Sequence, residues 1–418
     1  MIPPQWIPAL AAGFLTAAIV ARPAQSAVLR VPSEYPTIQA GIDAAAPGDS
    51  VLVAAGTFTG AGNKNLDFAK DIVVVSEAGP GATIIDCEDA GRGVHCRIGE
   101  STTMFKGFTV RNGWPNAPGG ALLLDGASLT IVNCSFEDNA AGGWGGAIAC
   151  FGANVVVTNC SFVGNGAYGY GGALYVHSST ASISESVFRS NGAPYGGGGV
   201  GAEQSSLTID RSVFHSNACQ TKLGAGGAVM AFEQSTVILT GCTFVRNRHT
   251  AVSGHMLLSP MQVRNCTFYG NSGANQPPTS NSLGGTALIT NCILANGMDG
   301  PAVAGGPCTA TCTDVFGNPG GDWVGPLSGQ NGVNGNISLD PQFCDPLNDD
   351  FTLSESSPCA PAHSGACGLI GAHDVACGVS AVEPTTWGRV KAILRDGSER
   401  GAKRERQEKS KGSAPAPN

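Results

Sequence analysis

Apolar and polar positions alternate along this chain in short bursts of four or five residues. In Ser128-Leu129-Thr130-Ile131-Val132-Asn133-Cys134-Ser135-Phe136, Leu129 and Ile131 share one face, and Cys134 and Phe136 share another that is out of phase with it. The same pattern recurs at 154–162 and 236–244. A period of two is that of a β-strand, and a slip of one residue turns every side chain to the other face, so the chain must bend at the slip. The bend positions are Asn133, Asn159, Glu185, Arg211, Gly241, Asn265 and Asn291. Asn and Gly tolerate the left-handed backbone that a one-residue bend requires.

The unit that contains this bend repeats about every 26 residues. Each copy opens on a glycine pair: Gly119-Gly120, Gly145-Gly146, Gly171-Gly172, Gly198-Gly199 and Gly226-Gly227. Each closes on Phe-x-x-Asn, with Phe136, Phe162, Phe188, Phe214, Phe244 and Phe268 followed by Asn139, Asn165, Asn191, Asn217, Asn247 and Asn271. Repeats of this length predict a solenoid whose units bury their apolar faces only against their neighbours. Each coil is expected to hold three short strands and three turns, stacked in parallel about 4.8 Å apart. Two structural asparagine ladders follow. Asn133, Asn159, Asn265 and Asn291 lie at the bend, and Asn139, Asn165, Asn191, Asn217, Asn247 and Asn271 lie at the next turn, where stacked amides can satisfy buried polar groups.

The Gly-Gly-Ala and Phe-x-x-Asn units resemble the repeats of the polymorphic outer-membrane proteins. The chain as a whole is similar to the pectin-lyase-like superfamily. The segment from Tyr35-Pro36-Thr37-Ile38 to Gly56-Thr57-Phe58 resembles the start of secreted β-helices, with Ile38, Ile42 and Ala45 on one helical face suited to plugging the first coil. The resemblance implies an all-β, single-stranded right-handed parallel β-helix of about eleven coils with an N-terminal capping helix. The domain reading is a signal peptide at 1–26, the β-helix at 27–300, final coils and a Cys-rich cap over the open end at 301–378, and a basic tail at 379–418.

Composition narrows the class. Sixty glycines and 13% charged residues fit many short strands joined by tight turns. Residues 388–418 carry nine Lys/Arg and four Asp/Glu, a net of +5 against −8 for the whole chain, so the remainder carries −13. An acidic body excludes nucleic acid as the main partner. The apolar run from Ile7 to Ala21, followed by Ala24-Gln25-Ser26, reads as an export signal and predicts an extracellular or outer-surface location. After its removal no transmembrane segment is expected.

Fifteen cysteines fall into two groups. Cys134, Cys160, Cys242, Cys266 and Cys292 hold one ladder slot, shared with Ser186 and Ser212, and read as core filler. Proximity in sequence suggests loop disulfides Cys87–Cys96, Cys308–Cys312, Cys344–Cys359 and Cys367–Cys377, although spacing cannot fix connectivity. No metal-ligand set and no cofactor motif is present, so neither is expected.

Enzymes of the superfamily work on the face of the Gly-Gly-Ala strands. With Leu122, Ile148, Leu174 and Val229 inward, the outward set includes Leu123, Ala149, Tyr175, Ala202 and Met230, with no carboxylate and no base. Glu203 and Glu233 are the first catalytic candidates, expected on neighbouring coils roughly 5 Å apart, near the spacing of a retaining glycosidase. Arg246, Arg248, His249 and His255 form a second candidate cluster. The third-turn loops carry Trp114, Trp144, Tyr168, Tyr170 and Tyr195. Trp144, Tyr168, Tyr170, Tyr175 and Tyr195 are the candidate glycan-binding set, because flat rings beside polar groups suit sugar stacking. The resulting expectation is a non-catalytic exported protein of adhesion or glycan recognition, whose partner is a polysaccharide or cell-surface glycan. A polysaccharide lyase or glycoside hydrolase is the first alternative, and a passive spacer the second.

Overall fold

The computed structural model describes residues 26–97, 102–220, 226–257, 260–273 and 280–377. The signal-peptide and basic-tail readings fall almost wholly outside them. Within them the chain winds into a parallel β-helix with three long sheets. A twelve-stranded sheet runs from Val28–Val31 to Cys308–Thr311. A ten-stranded sheet, here called the groove sheet, runs from Leu66–Phe68 to Val303–Ala304. An eleven-stranded phenylalanine sheet runs from Gly56–Phe58 to Asp314–Phe316. Twelve strands in the longest sheet slightly exceed the eleven or so coils that the repeats imply. Four coils also carry a short extra strand in the third turn, from Ala140–Ala141 to Ala218–Cys219, so their coils hold four strands instead of three.

Local chemistry sets this winding. Every bend residue is left-handed, with φ between 41° at Arg211 and 62° at Gly241. Inside the bend, Phe136, Phe162, Phe188, Phe214, Phe244 and Phe268 stack with centroids 4.5–5.0 Å apart, all fully buried. Three residues on, each asparagine amide donates to the Oδ1 of the next, at 3.0 Å from Asn139 to Asn165 and 2.9 Å from Asn165 to Asn191. The same Oδ1 atoms accept the preceding asparagine's backbone N–H. The ladder thus meets the polar needs of a turn that is closed to water.

The glycine pair answers two separate requirements. Gly119, Gly145 and Gly171 take φ of 66–73°. A Cβ on Gly120, Gly146 or Gly172 would collide with the carbonyl oxygen of the next coil. In the fourth copy the left-handed residue is Gly197, so the functional pair is Gly197-Gly198 and not Gly198-Gly199. Val200 then pairs with Leu174, which puts Gly201 outward and turns Ala202 inward beside Val176, correcting the outward set.

The two ends are closed differently. At the start, helix α1 (Ile38–Ala44) is capped by Thr37, whose hydroxyl accepts from Ala40 N at 3.2 Å, and it buries Ile38 and Ile42. At the other end, Leu327 and Trp323 pack on the main core. Residues 339–377 do not sit over that end, as expected of the Cys-rich segment. They fold back along the outer face of the phenylalanine sheet as a strap. Phe351 packs on Val187, Val213 and Val245, and Leu353, Cys359 and Ile370 pack on Ile293 and Ala295. Arg246 pairs with Asp349, and His215 Nε2 lies 3.3 Å from the same carboxylate.

The strap also corrects the disulfides. The bridges are Cys312–Cys367 and Cys344–Cys377, so none of the four pairings drawn from sequence proximity forms. Cys87, Cys96, Cys308 and Cys359 are buried and form no disulfide. The long-range fold-back brings together cysteines 55 and 33 residues apart, which proximity along the chain could not show. Cys134, Cys160, Cys242, Cys266 and Cys292 are also free and buried.

Candidate functional site

The outward face of the groove sheet gathers the aromatic residues. Along its middle row the register runs Asp67, His95, Leu123, Ala149, Tyr175, Gly201 and Met230, one residue per coil. Glycine at 201 and alanine at 149 leave space on both sides of Tyr175, and neighbouring loops fill it with rings. Trp144 stacks on Tyr175 at 5.9 Å and 19°, and Tyr170 lies on it at 6.5 Å and 18°. Phe232 and Tyr195 extend the group from Tyr170, at 4.9 and 5.8 Å. Phe151 meets both Trp144 and Tyr175 edge-on. The buried centre is Tyr175, 2% exposed, while Trp144 and Tyr195 are 41% and 49% exposed. The outcome is an aromatic shelf across several coils with a wet rim.

Four of the five candidate rings are therefore brought together. Tyr168 is 66% exposed, and no ring contact joins it to the shelf among the described residues. Phe151 and Phe232 are additions that the sequence reading passed over. Both lie in the row that ends each groove strand: Asp125, Phe151, His177, Glu203, Phe232 and His255.

That row decides the carboxylates. Glu203 stands opposite Phe232, not Glu233, because the fifth copy's turn holds one extra residue. Glu233 falls one position on, its carbonyl accepting from Gln204 N and its carboxylate from Gln204 Nε2 at 3.4 Å. The two glutamates thus do not occupy equivalent ladder positions. Glu203 instead accepts a hydrogen bond from the Tyr175 hydroxyl and lies 3.6 Å from His177 Nδ1. Burial, then the Glu203 hydrogen bond and charge, push the Tyr175 phenol well above its ordinary range. Tyr175 is accordingly a donor that positions Glu203, not a base.

The second cluster is dispersed. Arg246 is turned to Asp349 under the strap, whereas His255 ends a groove strand beside Phe232. His249 is held below its usual pKa by burial and by Arg248, and its buried Nδ1 has no partner among the described residues.

The largest oversight lies nearer the N-terminus. The Gly-Gly-Ala marker of the groove floor reaches back only to Gly119. The sheet begins two strands earlier, and there the outward row carries Asp67 and His95, with Arg97 following. The available signal was Gly91-Arg92-Gly93-Val94-His95-Cys96, an interrupted glycine pair before an alternating strand. Among the described residues no group of three or more His, Cys, Asp or Glu side chains is placed to hold a metal ion.

Comparison with known proteins agrees with the geometry. The family model described as "Right handed beta helix region" matches residues 72–231 and 171–336, together more than half of the chain. This protein belongs to that right-handed β-helix family. Among solved structures it is similar to pectate lyase Pel9A, at 15% identity over 84% of this chain and 97% of that one, with a TM-score of 0.51. It is also similar to a mannuronic acid specific polysaccharide family 6 lyase from human gut microbiota (13% identity, 77% and 92% covered, TM-score 0.36). A third is the catalytic unit of a GH87 alpha-1,3-glucanase from Streptomyces thermodiastaticus (15%, 77% and 68%, TM-score 0.33). At these identities the likeness is one of fold. No curated protein matches the sequence. No helix among the described residues is long and apolar enough to cross a membrane.

Proposed function

We propose that this protein is an exported glycan-binding β-helix that holds a polysaccharide against the groove sheet. The aromatic shelf carries the reading: Trp144, Tyr170 and Tyr195 stand on consecutive coils around the buried Tyr175, with Glu203 and His177 at their edge. Ring faces take the apolar faces of sugars, and the polar edge takes their hydroxyls. The fold likeness to a pectate lyase supports a polysaccharide partner. Adhesion at an outer surface is the setting that the apolar N-terminal run suggests.

The test is retention of the purified protein on a panel of immobilised neutral and acidic polysaccharides, with release of reducing or unsaturated ends followed in parallel. Retention that is lost in Trp144→Ala and Tyr170→Ala supports the reading. Retention unchanged in both variants sinks it.

A catalytic reading has one observation in its favour, the contact of Glu203 with both Tyr175 and His177. Glycosidases need two carboxylates across the scissile bond, and Glu233 does not stand opposite Glu203. Cleavage abolished by Glu203→Gln would establish this second reading in place of simple binding.

A further inference from the structure

A polar cluster occupies the opening coils of the groove sheet, away from the shelf. His95 is three rungs from Tyr175 in the same outward row, roughly 14 Å at the usual strand spacing. Arg97 Nε donates to His95 Nδ1 at 3.3 Å and lies 3.5 Å from Asp67 Oδ1. Arg92 stands in the turn where Gly91 bridges to Trp114.

The hydrogen bonds are incomplete in a specific way. Because His95 Nδ1 accepts, the neutral ring carries its proton on Nε2. Among the described residues that buried Nε2 has no partner, and the buried Arg92 Nη1 likewise has none. Asp67 Oδ1 lacks a hydrogen-bond donor of good geometry, despite its ion pair with Arg97. Burial, followed by Arg97 and Arg92, holds the His95 imidazole below its ordinary range, against the opposing pull of Asp67 and Asp125. Both arginines therefore act on this ring. Burial lowers the Arg92 pKa as well. Two unmet donors, one of them on a guanidinium, and one unmet acceptor are costly to maintain in a folded protein. An anion that accepts two hydrogen bonds removes that cost, and a guanidinium is the side chain best shaped to hold one.

We propose that Arg92 and His95 form a binding site for a compact oxyanion, a carboxylate, sulfate or phosphate, carried on a hydroxyl-bearing molecule. Its oxygens accept from Arg92 Nη1 and His95 Nε2, and its hydroxyl donates to Asp67 Oδ1. Arg97 positions the imidazole and does not itself need to touch the ligand. The site stands whether or not the aromatic shelf binds a sugar, and Trp144→Ala leaves it unchanged.

The experiment is calorimetric titration of the full chain with sodium sulfate, phosphate and acetate at fixed ionic strength. Two further arms use an oligosaccharide of glucuronic acid and its neutral glucose counterpart. At least one oxyanion binds saturably, and Arg92→Gln weakens it about tenfold while Arg92→Lys keeps part of the affinity. Preference for the acidic oligosaccharide, reduced by Asp67→Asn, assigns the site to a sugar acid. Equal binding of inorganic sulfate or phosphate assigns it to the free ion. A second readout needs no variant of Arg92: the NMR titration midpoint of His95, identified through His95→Gln, moves up when the anion binds, because a nearby anion favours imidazolium. No saturable binding in any arm, equal binding by a folded Arg92→Gln, or an unmoved His95 midpoint each overturns the proposal.

Discussion

The groove sheet and the phenylalanine sheet both turn large apolar side chains outward, but the chain treats them differently. On the phenylalanine sheet the outward row passes from Ser135 and Ser161, which lie beyond the strap, to Val187 and Val213 under it. Phe351 and Phe343 cover those valines, together with Tyr269. On the groove sheet Tyr175 points outward, the loop rings Trp144, Tyr170 and Tyr195 gather around it, and the rim of the cluster stays open. Aliphatic faces have nothing to offer water and acquire a cover. Tryptophan and tyrosine keep a polar tip and persist at a wet surface, where they can hold a partner.

The largest effect that tests this contrast is expected from Phe351→Ala. Truncating a fully buried phenylalanine costs about 3–5 kcal/mol, and here the loss falls on the strap. Amide exchange at 343–354 should quicken, while polysaccharide retention by the groove side is unchanged. Unaltered exchange there would mean that the strap is held by something else. Next is the Cys312–Cys367 bridge, which pins the strap to the end of the helix across 55 residues. Its replacement by two serines is expected to cost about 2–4 kcal/mol, read as a lower denaturant midpoint and earlier proteolysis within 339–377.

A pH effect of similar or smaller size is expected at Asp314. Its carboxyl is pushed up to about 7, chiefly by burial, although it accepts hydrogen bonds from Leu339 N and the Cys359 thiol. The folded-state pKa lies above the unfolded value. Its contribution is therefore full below about pH 4 and is lost as pH rises through about 7. The strap of the native protein should loosen between about pH 4 and about pH 7, by on the order of 1–3 kcal/mol. Asp314→Asn should remove that slope, and an identical slope in the variant would locate the titrating group elsewhere. Trp144→Ala is expected to change stability least, by about 1 kcal/mol, because the ring is 41% exposed and makes stacking contacts only. Its effect should appear in glycan retention instead. A large loss of stability there would make the shelf a packing device like the strap.

Legibility of the sequence followed repetition. Phe136 to Phe268, the asparagines after them and the left-handed bend could be read because each recurs in register. The groove floor could be read only where Gly-Gly-Ala marked it. Asp67 and His95 lie in coils without that marker, so their place in the same row as Tyr175 was hidden. The pairing of Glu203 with Phe232 was obscured by one inserted residue, which periodicity cannot place within a turn. The strap left a fainter trace. Val187-Phe188 and Val213-Phe214 break the alternation with adjacent apolar residues, which indicates a strand buried on both faces. What covers the second face comes from more than 100 residues downstream, and no local pattern points to it.

The asparagine ladder has a consequence for how such a chain can change length. Consecutive rungs are 26, 26, 26, 30 and 24 residues apart, yet the amide contacts between them are all 2.9–3.0 Å. The side chains register coils, not residues, and extra length is absorbed in loops outside the stack. Because each rung offers one acceptor backward and one donor forward, a whole coil can be removed or duplicated and the severed ends still fit. Deleting residues 166–191 would bring Asn165 against Asn217 with the same polarity that Asn191 now presents. The molecule can be shortened or extended in units of one turn, and the distance between its opening polar cluster and its aromatic shelf is adjustable in the same steps.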